Sequence, residues 1–116
     1  MNDDEKKLKV SVLLLSCMCT KYSGLYLRLE MISNMKCGCN LARALITKPE
    51  CFRDSLFRFC DGNKACIEHI LGDIIKSALS QLEGIDITEL DSDRLIKIFL
   101  EDPKTFLTAL LKIIDC

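Results

Sequence analysis

Cys51, Cys60, Cys66 and His69 follow one another at intervals of eight, five and two residues. Three thiolates and an imidazole can close a tetrahedral zinc site, provided all four reach one ion at about 2.0–2.3 Å. Cys37 and Cys39 flank Gly38 and could chelate, bridge or exchange as thiols. Cys17 and Cys19 are also two apart, but on a helix such residues point roughly 200° from each other, so they cannot grip one metal and read as core thiols. A catalytic cysteine needs an activating base held by a third group. His69 is the only histidine and its neighbour Glu68 points elsewhere on a helix, while no phosphate loop, nucleophile elbow or dinucleotide fingerprint occurs. The chain therefore reads as non-enzymatic.

Residues 51 to 69 resemble the Cys3His zinc fingers, whose ligands follow C-x8-C-x5-C-x3-H. Gly62 falls in the middle interval, as glycine often does there, but Ile70 stands where that family has its histidine. The resemblance implies zinc on Cys51, Cys60, Cys66 and His69 and contact with single-stranded RNA.

A wider pattern competes with it. Residues 39–61 and 93–115 align without a gap, so that Leu41, Pro49, Phe52, Leu56 and Asp61 recur as Leu95, Pro103, Phe106, Leu110 and Asp115. In this alignment Cys60 meets Ile114 and Cys51 meets Thr105, so the second copy builds the same unit with no ligand. Phe52, Leu56, Phe57 and Phe59 then form a core helix face rather than a base-stacking surface. The expectation is no metal, no cofactor and no nucleic-acid partner. A zinc-binding, nucleic-acid-contacting protein is the alternative, and a thiol redox protein using Cys37 and Cys39 is a third reading.

The elements that must position these residues are helices. Apolar residues Leu8, Val12, Leu15, Cys19, Tyr22, Tyr26, Leu29 and Ile32 recur at three or four residues and predict one long helix, capped by Asp3 or Asp4 and ending near Ser33 to Lys36. A short helix over 40–47 and a proline-started helix over 49–60 follow. Asn63 opens the second copy with a long helix up to Gly84, an apolar loop through Ile85 and Thr88 leads to a cap at Asp91 or Ser92, and Pro103 starts the last helix. The expected fold is one all-α domain over 1–116, a bundle of about six helices in two repeats, about 5–61 and about 63–115. If the first hairpin folds back at Pro49, Cys39 meets Cys60 and Cys37 meets Cys66, which predicts two disulfides.

The chain has 116 residues, 49% of them hydrophobic, with 16 basic against 17 acidic side chains. That balance leaves no cationic track for phosphates. The leader is acidic and no apolar run reaches the length of a membrane span, which predicts a cytoplasmic protein. Eight cysteines are many for a reducing cytosol, but hyperthermophiles are known exceptions, and a single Gln with twelve Ile leans the same way. The last helix is apolar on most of its circumference and the first carries Val12 to Leu15, so a second apolar surface is expected. Leu14, Phe106, Leu107, Leu111 and Ile114 are its candidates, a homodimer the economical way to bury it, and protein–protein interaction or regulation the expected role.

Overall fold

In the computed structural model, which describes residues 2–82, 84–85 and 90–114, four helices start where a short polar side chain caps them. The order is α1 (Asp3–Lys21), α2 (Ser23–Lys36), α3 (Leu41–Thr47), α4 (Pro49–Phe59), α5 (Lys64–Ser80), α6 (Ser92–Glu101), a 3-10 turn (Pro103–Thr105) and α7 (Phe106–Ile114). Side-chain oxygens of Asn2, Asn40, Asn63 and Asp91 accept from the backbone N–H three residues on, at 2.8, 2.9, 3.1 and 3.0 Å. Each satisfies a donor that the first helical turn leaves open. Asn2 thus caps α1, where Asp3 or Asp4 was expected. The fold is all-α, and no strand occurs among the described residues.

The expected long first helix is two helices. Tyr22 leaves helical geometry (φ −136°, ψ 60°) and serves as the last cap of α1 and the first of α2. Ser23 and Gly24 are weak helix formers. The bend is also held from outside, because Tyr22 Oη donates to Asp73 Oδ2 at 2.7 Å and Lys21 Nζ reaches Asp73 Oδ1 at 3.0 Å. The expected apolar stripe was only partly in phase: Leu15 and Leu29 are buried as expected, but Leu8 and Val12 are half exposed and Cys19 is exposed, while Val10, Ser11, Leu14, Cys17 and Met18 face inward. A block such as Val12–Leu15 is apolar at every position and so does not fix which side is buried.

The proline hinges match their expected role. Lys48 (φ −135°, ψ 57°) precedes Pro49 and Asp102 (φ −144°, ψ 75°) precedes Pro103, each proline opening a helical turn where its missing N–H costs nothing. Leu41, Phe52 and Leu56 are buried, and so are Leu95, Phe106 and Leu110. The aligned Asp115 and the loop residue Thr88 lie outside the described residues.

The core sits where α1 crosses α3, α5 and α7. Phe99 is its centre, edge-on to Phe52 at 5.9 Å and to Phe106 at 5.2 Å, a geometry that aligns ring edges with ring faces. This overturns the expected dimer seam at these residues. Leu14, Phe106, Leu107 and Leu111 are all buried within the one chain, and Ile114 packs half-buried against the same core. The reason is that α1 and α6 both pack on α7 and cover its apolar face. Among the described residues no helix is long and apolar enough to cross a membrane.

Candidate interaction surface and cysteine corner

α2 packs along α4 and α1 through Leu25, Leu29 and Ser33, a row at four-residue spacing. Leu27, Met31 and Met35 form a second row offset by two residues, and two residues on a helix are about half a circle. That row must face away from the core. Its members are 64%, 66% and 82% exposed, the largest values among the exposed bulky apolar side chains of the described residues. None of these three residues was among the expected interface candidates. The expected stripe through Tyr26, Leu29 and Ile32 shares Leu29 with the buried row but not Leu25 or Ser33, so it did not mark the opposite side of α2.

The turn after α2 is tied down by polar contacts. Leu41 N–H donates to Glu30 Oε1 at 2.9 Å, Ser33 Oγ donates to the Cys39 carbonyl at 2.7 Å, and Lys48 Nζ donates to the Cys37 carbonyl at 2.7 Å. Burial of Tyr26 and its hydrogen bond to Glu30 hold that phenol above its ordinary range.

A disulfide joins Cys37 at the end of α2 to Cys51 in the first turn of α4 (Cα–Cα 6.0 Å). The expected Cys37–Cys66 and Cys39–Cys60 bridges are therefore not the ones formed, and Cys39, Cys60 and Cys66 are free thiols. Those two bridges require α4 to fold back on α3 alone. In the structure α4 lies along α2, which brings Cys51 to Cys37. The same bond removes Cys51 from the zinc set and Cys37 from a Cys37/Cys39 redox pair. Among the described residues no three His, Cys, Asp or Glu side chains gather to hold a metal, and His69 is an exposed residue of α5, one turn before Asp73. Cys60 and Cys66 do meet, across the α4–α5 corner. Burial, first, and the hydrogen bond with Cys66, second, push the buried Cys60 thiol up to about 12.

An open cleft of about 590 Å³ lies between α4, α5 and α6. Lys64 and Lys97 stand there among Glu68, Asp93 and Glu101, so its charge is mixed, and it has neither a histidine nor a cysteine in its lining. The fold and surfaces thus define an all-α bundle with one bare helix face and a tethered cysteine corner. No family model, curated protein or solved structure matches the chain.

Proposed function

We propose that this chain is a non-enzymatic helical interaction module that pairs with a second copy of itself through the Leu27, Met31 and Met35 face of α2. The exposed row is the observation that supports this reading, since three bulky apolar side chains at four-residue spacing form one ridge of the kind that packs between helices. Methionine side chains adapt their shape to a facing surface. The row is also self-complementary. A two-fold axis through Met31 sets Leu27 of one copy against Met35 of the other and Arg28 against Asn34, so no like charges meet. A cytoplasmic setting is part of the reading, with the Cys37–Cys51 bond then belonging among the disulfides that hyperthermophile cytosols retain.

Sedimentation equilibrium tests it. Wild-type protein should be dimeric at tens of micromolar, and Met31→Glu, at a residue 66% exposed, should give a monomer with an unchanged helical circular dichroism spectrum. A monomeric wild type, or a Met31→Glu variant that still dimerises, overturns the proposal.

A further inference from the structure

α4 ends in a tight reversal. Gly62 N–H donates to the Phe57 carbonyl at 2.9 Å and Asp61 N–H to the Arg58 carbonyl at 3.2 Å, with Asp61 (φ 53°) and Gly62 (φ 75°) both left-handed. Asn63 then links the two cysteines of the corner through the backbone. Its N–H donates to the Cys60 carbonyl at 3.0 Å and its Oδ1 accepts from Cys66 N–H at 3.1 Å. Cys60 is buried and Cys66 half-buried, and their thiols interact directly. Neither sulfur is needed by the Cys37–Cys51 bond or by the α2 face.

We infer that Cys60 and Cys66 form a reversible dithiol–disulfide site that takes its oxidising equivalents from a low-molecular-weight disulfide such as glutathione disulfide. Access sets the order of events, because Cys66 is the sulfur that a small molecule reaches. Cys66 loses its proton and its sulfur attacks the reagent, breaking the reagent's S–S bond and releasing one thiolate, which takes up a proton. Cys60 then loses its proton and attacks Cys66 sulfur, forming the Cys60–Cys66 bond and expelling the second thiolate, which is protonated in turn. Two electrons and two protons pass from the protein to the reagent, and the products are one internal disulfide and two small thiols.

The buried sulfur makes the product durable. An incoming reductant reaches the half-buried Cys66 side, and attack there must expel Cys60 as a thiolate into a buried site, where burial disfavours the charge and makes it a poor leaving group. The bond would fix α4 against α5 at the end of the corner from which Phe57 and Lys64 line the open cleft.

The full-length chain, with Cys37–Cys51 intact, is incubated with excess glutathione disulfide, quenched in acid, alkylated under denaturing conditions and mapped by peptide mass spectrometry. The expected product is a Cys60–Cys66 linked peptide, reversed by dithiothreitol, while Cys60→Ser should stop with glutathione retained on Cys66. A wild-type chain that keeps glutathione on Cys66 with Cys60 still alkylatable, or that links Cys66 to Cys39, overturns the inference. If Cys60→Ser does not fold, the wild-type map decides alone.

Discussion

The first half of the chain, α1 to α4, and the second, α5 to α7, reach similar burial by different means. Both contain a proline-hinged pair of helices with leucines and a phenylalanine in the core. In the first half the hinge region is held by a disulfide and by side chains of Glu30, Ser33 and Lys48 that clamp the turn backbone. The second half has Asp93 where the first has Cys39 and Thr105 where it has Cys51, and its pair has no disulfide but is held by packing, chiefly Phe99 against Phe106, and by one polar clamp, Arg53 Nη1 donating to the Leu100 carbonyl at 3.1 Å. A bond and a clamp replace core area where a helix lies at the edge of the bundle. In α7, whose buried face packs on α1 and α6, apolar contact supplies the burial.

The most damaging test of this contrast is Phe99→Ala. Phe99 is 1% exposed and touches Phe52 from one half and Phe106 from the other, so truncation should cost about 3–5 kcal/mol in denaturant unfolding. A cost below about 1 kcal/mol, the range of surface changes, would show that the core is not centred there. Reduction of Cys37–Cys51 comes next. With a sequence separation of 14, the bond should contribute about 3 kcal/mol in the chain-entropy account. Hydrogen exchange should show the loss concentrated in α2, α3 and α4, and a uniform loss across α6 and α7 would break the contrast.

The smallest effect sharpens the role of the Tyr22 bend. The hydrogen bond from Tyr22, first, and that from Lys21, second, lower the Asp73 pKa from its usual 3.8, and the same contact raises Tyr22 from 10.0. A lowered carboxylate gives stability that is present above pH 3.8 and lost as pH falls through the folded value. A raised phenol gives stability that is present below pH 10.0 and lost as pH rises through its folded value. The contact is therefore in full force between those limits. Asp73 is part-exposed, so Asp73→Asn should cost no more than about 1 kcal/mol near neutrality, and most of the difference from wild type should vanish in acid. A difference that stays constant down to acid pH would mean that the bend is set by Ser23 and Gly24 alone.

The sequence by itself determined the all-α class, the cap at Asn63, the cap at Asp91 as one of two neighbouring choices, and the two proline starts, because these depend on residues within one turn of each other. The core positions Phe52 and Leu56 were legible for a related reason, since the spacing of apolar residues fixes a face once a helix is bounded by polar turns. What the pattern could not fix was phase and partner. In α1 and α2 the apolar residues run too densely to show which side is inward, and the break at Tyr22 depends on Asp73, 51 residues away. The Cys37–Cys51 pairing likewise depends on α2 lying along α4, a fact of packing. Tertiary structure alone turned Leu14, Phe106, Leu107 and Leu111 into core and left Leu27, Met31 and Met35 facing outward, because a side chain's surroundings are settled by which helices cross it and not by its own helix.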